Sequence, residues 1–119
     1  MPAPIKARTI VSTIADGAAL GSVVDLMDAE VAGIVIDALW DSGDHLAFKV
    51  CATYGGTYVA LYTSGVALLT YAVAASLAYS GAAISAALAP WRFVKAWSQN
   101  GSGTDAAQTG GSLVTFVLK

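Results

Sequence analysis

Few side chains in this sequence could carry out covalent or proton-transfer chemistry, and their spacing argues against each arrangement in turn. There is one histidine, His45, and one cysteine, Cys51. His45 directly follows Asp44, and neighbours on a strand point to opposite faces, so the pair makes a poor Asp-His relay. Asp41-Ser42-Gly43-Asp44 reads instead as an exposed turn. Cys51 sits between Val50 and Ala52 with nothing adjacent to stabilise a thiolate, and reads as a packed thiol whose only conceivable imidazole partner is His45. A single cysteine also excludes an intrachain disulfide. Asp25, Asp28 and Glu30 lack the spacing of a calcium loop. The glycines at 101, 103, 110 and 111 do not follow a strand and open a helix, as a phosphate-binding loop requires. No catalytic residue, metal or cofactor is expected, and the chain reads as non-enzymatic.

The remaining groups with recognition chemistry are aromatic and acidic. Tyr54, Tyr58, Tyr62, Trp40 and Trp97 could form a stacking platform for sugars, but such rings more often fill a core or subunit interface, and that is the first reading. Tyr54, Tyr58 and Trp97 are the candidate surface contacts, with a glycan as their possible ligand. Seven of the eight acidic side chains fall between Asp16 and Asp44, with no Lys or Arg between Arg8 and Lys49. Such a run is a solvated face or a docking surface for a basic partner. A net charge of −2 with six scattered basic residues gives no basic stripe for nucleic acid.

The elements that must position these groups read as strands. Residues 46–62, LAFKVCATYGGTYVALY, hold two alternating apolar runs hinged on Tyr54-Gly55-Gly56-Thr57, the pattern of a hairpin whose glycines supply positive φ. Leu46, Phe48 and Val50 are expected to point inward together, with Lys49 outward. Further strands are expected at 7–14, 22–26, 31–39, 68–73, 91–97 and 113–118, separated by turns. Their number and spacing predict an all-β protein, an antiparallel β-sandwich or jelly-roll-like fold with one short helical turn at 85–88 ended by Pro90. The strands at 91–97 and 113–118 are apolar on both faces, so each is central and covered, or meets another subunit. Between them, residues 98–111 read as a flexible polar loop.

At 119 residues the chain fits one domain, residues 9–119, preceded by a flexible arm at 1–8 in which Pro2 and Pro4 favour extended geometry. The arm lacks the apolar core of a secretory signal. An apolar fraction of 56% is more than a lone sandwich of this size comfortably hides, so part of its surface is expected to meet neighbours. Residues 66–89 carry no charge and are long enough to span a bilayer. Ten of them are Ala and only seven are large aliphatics, so a strand, a loop at Ser80-Gly81 and a helical turn are expected there in place of a membrane span.

The order of these residues resembles a group of small proteins encoded in the structural-gene clusters of tailed bacteriophages. The resemblance runs from Val23 to the C-terminus. It rests on Val23-Val24-Asp25-Leu26, the run 31–36, Trp40, Leu46-Ala47-Phe48, Tyr54-Gly55-Gly56-Thr57-Tyr58, Leu61-Tyr62, Trp91-Arg92-Phe93-Val94-Lys95, Gly103-Thr104, Gln108 and the closing run 113–118. A longer turn at 98–104, and Tyr54-Gly55-Gly56 in place of a Ser-Asp-Gly hairpin, depart from the group and bear on loop contacts more than on the fold. The resemblance implies a virion protein of the head decoration or cement type, made in the bacterial cytoplasm. Its implied partners are the major capsid protein and copies of itself, with neither nucleic acid nor membrane. Ile5, Lys6 and Arg8 are then the expected capsid-contacting arm, and an exposed sheet face the site of oligomerisation. The alternative is a carbohydrate- or receptor-binding sandwich of a head fibre or tail accessory.

Overall fold

Alternation along the chain sets out the strands, and the turns between them throw most successive strands onto opposite layers. The computed structural model describes residues 8–27, 29–40, 45–53, 55–63, 67–80, 82–101 and 104–119. The strands are β1 (Arg8–Ile14), β2 (Leu20–Asp25), β3 (Val31–Ile36), β4 (His45–Cys51), β5 (Val59–Ala60), β6 (Tyr62–Thr63), β7 (Ala67–Leu68), β8 (Tyr71–Ala72), β9 (Ala78–Ser80), β10 (Phe93–Gln99) and β11 (Ser112–Leu118). One short helix, α1 (Ala82–Leu88), precedes β10.

Two antiparallel sheets result. The first has the order β1-β11-β3-β9, and the second β2-β10-β4-β5 with β8 also on β4. β5 and β8 share one edge of β4: β5 pairs with Lys49 and Val50, and β8 with His45 and Leu46. They act as a single strand interrupted by the β6–β7 hairpin. Counted that way, the chain places β1, β3, β9 and β11 in one layer and β2, β4, β5/β8 and β10 in the other, the double-sheet jelly-roll arrangement. The protein is an all-β sandwich, as the alternation predicts.

The core lies between the layers. Leu46, Phe48 and Val50 are at most 1% exposed and meet Val114 and Phe116 of β11, with the Phe48 and Phe116 rings 5.9 Å apart. Ile84 and Leu88, four residues apart on α1, share one helix face and cap this core. The β4–β5 hairpin turns at Gly55, which takes φ +78.

Several expected boundaries move for local reasons. The strand expected to run to Leu39 stops at Ile36, because the Asp37 carboxylate accepts the Leu39 N–H and turns the chain. The run expected as one strand at 57–62 is split: Leu61 N–H still donates to Phe48 O, but Tyr62 and Thr63 leave the sheet to pair with β7. The strand at 68–73 divides likewise between β7 and β8. Residues 78–80, expected to lead into a loop, form β9 on β3. The helix begins three residues before the expected turn. Arg8, where the expected arm at 1–8 and the expected strand at 7–14 overlap, pairs with Leu118 and belongs to β1. Among the described residues no helix is long and apolar enough to cross a membrane, and 71–88 is broken into β8, β9 and α1.

Candidate functional site

The two outer faces of the sandwich differ in chemistry, and the difference follows from what the loops cover. On the second sheet, Phe93, Lys95, Trp97 and Gln99 of β10 alternate outward beside His45, Ala47, Lys49 and Cys51 of β4. Much of this face is covered by the chain itself. Ala19, Ala47 and Trp97 form a small second core, with Leu20, Ala60 and Leu68 packed on it. Trp97 Nε1 donates to Asp105 Oδ1 at 2.7 Å, and the Lys49 ammonium lies 4.7 Å from the Trp97 ring. The Lys95 ammonium lies 4.4 Å from the Tyr58 ring.

The loop after β10 is tied down more than its composition suggests. Gly101 N–H donates to Gln99 Oε1, Ala106 N–H to Ser98 O, and Gln108 Nε2 to Ser98 Oγ at 2.8 Å. Gln108 is fully buried, and its backbone bonds to Gly17 and Ala18. These bonds correct the expectation of a flexible loop for its described residues.

The first sheet presents an open face. In register across its four strands, Val11, Thr115, Val35 and Ala78 make one row, Thr9, Val117 and Gly33 the next, and Thr13 and Leu113 a third. None of these residues is charged. Val11, Val35 and Leu113 are 37–43% exposed, whereas Ile10, Ser12, Ile14, Val114 and Phe116 on the same strands turn inward. Ala32, Gly33, Val35, Ala78 and Val117 line a shallow trough, where residue 33 has no side chain to fill it. The two ends of the face differ in charge. Asp16 and Asp37 stand at the end where Ile14 pairs with Ser112, and Lys119 stands beside Glu30 at the other; Arg8, paired with buried Leu118, takes the inward parity of Ile10 and Ser12.

Among the described residues the acidic run does not form one patch. Asp25 makes a two-pronged ion pair with Arg92, with bonds of 2.9 and 3.1 Å, and the guanidinium holds its carboxyl below the ordinary carboxylate value. Asp16 accepts the Gly110 N–H, Glu30 accepts the Ser85 hydroxyl, and Asp37 accepts from Leu39, Ser112 and Leu113. Each carboxylate fastens a different turn. Asp28, Asp41 and Asp44 lie outside the described residues.

The sequence-predicted sites fare unevenly. Arg8 is exposed at the start of edge strand β1, while Ile5 and Lys6 lie outside the described residues. Trp97, named as a candidate surface contact, is only 5% exposed and its indole N–H is engaged, as the core reading of these aromatics has it, so a sugar cannot stack on it without displacing Lys49 and the loop. Tyr58 is half-buried beneath Lys95, and Tyr54 lies outside the described residues. Cys51 is buried and bonds to Thr53 O. It stands at the opposite end of β4 from His45, about 20 Å away at the strand rise. Among the described residues no three His, Cys, Asp or Glu side chains converge as a metal-ligand set. The open face was foreshadowed only by the two-sided strand at 113–118; its partners in β1 and β3 became legible once the register was known. No family model, curated protein or solved structure matches this chain.

Proposed function

We propose that this protein is a structural component of a tailed-phage virion, a decoration or cement protein that binds the outer surface of the head and stabilises it without catalysis. The observation that carries the proposal is the open, uncharged face of Val11, Val35, Leu113 and their neighbours, set on a sandwich whose other face is partly covered by the chain itself around Trp97. A face of that kind serves packing against other subunits. The phage-like succession of residues from Val23 to the C-terminus supports the virion assignment. The jelly-roll topology supports it by analogy, since capsid proteins and lectins both use that architecture.

Cement action needs only selective affinity for the assembled shell. A ligand present at a hundred times its dissociation constant stabilises the state it binds by about 2.7 kcal/mol per site. Repetition over a symmetric shell multiplies that gain, so weak single contacts suffice. The major capsid protein and further copies of this chain are the partners. The exposure of Arg8 at the start of edge strand β1 supports assigning Ile5, Lys6 and Arg8 to capsid contact.

Electron microscopy of phage particles from the source culture, labelled with antibody raised against the recombinant protein, tests the assignment. Label distributed over the head is the expected result. Label confined to tails or fibres, or its absence from particles, would overturn it, and the first of these would favour the receptor-binding alternative.

A further inference from the structure

The outer face of the second sheet carries two lysines side by side. Lys95 of β10 and Lys49 of β4 are direct cross-strand partners, in the row Val23, Lys95, Lys49, Ala60. Both strands lie inside the sheet. Side chains directly opposite on such strands stand about 5 Å apart at Cβ, and like charges there destabilise the pairing. No carboxylate offsets the repulsion. Among the described residues neither ammonium lies within ion-pair distance of an acid: Asp25 is paired with Arg92, and Asp105 accepts the Trp97 indole N–H. Each ammonium is held on a ring, Lys49 on Trp97 toward the His45 end of β4, and Lys95 on Tyr58 of the hairpin at the other end. The two cations thus lean apart, as neighbours without a counter-ion do.

We propose that Lys49 and Lys95 bind a phosphate group between them on this face. A phosphate group carries a charge of about −1.5 to −2 near neutrality, which balances the pair. Its oxygens point in several directions and accept from compact ammonium groups, whereas a planar carboxylate is matched by the fork of an arginine. The long lysine stems let both ammoniums swing from their rings to one anion seated over the row. Val23 and Ala60, which flank them, carry no charge to oppose it.

The rings also keep the cations at the sheet surface before the anion arrives, which limits what binding must order. Two cations are too few to hold a nucleic acid. The ligand is therefore free phosphate or a phosphoryl group of a phosphate-bearing polymer. The site lies on a different sheet from the open uncharged face, so the inference goes beyond the decoration role and does not rest on it. Its test uses free protein, so capsid binding can fail while the phosphate site stands, and the reverse.

Titration of the full chain with sodium phosphate at constant ionic strength, followed by tryptophan emission and by backbone amide shifts in NMR, is the experiment. A saturable response in the millimolar range is expected, with emission changing because Lys49 leaves the Trp97 ring as the anion binds. The amide shifts should centre on the row of Val23, Lys95, Lys49 and Ala60. Lys49→Gln and Lys95→Gln, both on half-buried outer positions, should each raise the dissociation constant by about tenfold, read from the amide shifts. A poly(glycerol phosphate) chain titrated in parallel separates the sources: tighter binding per phosphate assigns the polymer, and equal binding assigns free phosphate. A response to phosphate no larger than that to chloride, an undiminished response in the double variant, or a preference for succinate over phosphate would overturn the inference.

Discussion

A Cβ on residue 21 would fall on the hydroxyl of Ser12, so Gly21 and Ser12 share a space that only this pair of residues leaves open. The hydroxyl is fully buried between the sheets. It donates to Ser22 O at 2.7 Å and accepts the Ala96 N–H at 3.2 Å. The pairing of β10 with β2 shifts register between Lys95 and Trp97, which turns Ala96 N–H away from the ladder and toward Ser12. One side chain of the first sheet thereby closes a gap in the second.

Ser12→Ala leaves that N–H buried without an acceptor and should destabilise the fold by about 1–3 kcal/mol. Gly21→Ala should also destabilise, because the new methyl displaces the hydroxyl and presses on Ala96 O. With Ser12→Ala already present, Gly21→Ala should cost less than it does alone. Urea unfolding of the two single variants and the double variant checks this; strict additivity would deny the shared space.

Trp97 and Asp105 hold the loop after β10 against the second sheet. Asp105→Ala should cost about 1 kcal/mol, since the carboxylate is partly solvated, and should shift tryptophan emission to longer wavelength as water reaches the ring. Unchanged stability and an unchanged spectrum would show that the packing of Ala47 and Leu68 alone places the indole.

The Asp25–Arg92 pair should make stability depend on pH in acid. Its carboxyl is depressed in the folded state, so its contribution is present above the ordinary carboxylate value and is lost as pH falls through the depressed one. Arg92→Ala should therefore be less stable than the parent near neutrality, by an amount that shrinks below about pH 4. Both side chains are solvent-accessible, so the difference is small. A gap that stays constant down to pH 2 would assign the effect to packing of Arg92 on the Phe93 ring.

Tyr71 offers the opposite case. Its hydroxyl is buried without a hydrogen-bond partner among the described residues, beside a cavity of about 30 Å³ lined by Ile34, Leu46, Val73, Tyr79 and Ile84. Burial raises its phenol above the ordinary value. Tyr71→Phe should be neutral or stabilising by up to about 1 kcal/mol while keeping the edge contact with Phe48. A loss of stability on calorimetry would reveal a polar partner for the hydroxyl.

These residues show what the sequence made legible. Period-two alternation was enough to place Leu46, Phe48 and Val50 in the core and Lys49 outside it, and the Gly55-Gly56 pair announced the hairpin. Alanine-rich segments gave no such signal: 78–80 pairs through backbone bonds to β3, and small side chains leave no periodic mark for that pairing. Trp97 could not be assigned to surface or core from its own strand, because what buries it is a second core contributed by Ala19, Leu20, Ala60 and Leu68 from three distant segments. The open face was legible only in the two-sided strand at 113–118, since its rows exist only after β1, β11 and β3 are set in register.

The most direct measurement of the decoration role is the copy number of this protein relative to the major capsid protein, by quantitative mass spectrometry of gradient-purified particles from the source culture. A copy number in a simple fixed ratio to the capsid protein, hundreds of molecules per particle or a sizeable fraction of that, is the expected result. Absence from the particles, or a handful of copies per particle as at a tail or fibre, would contradict it.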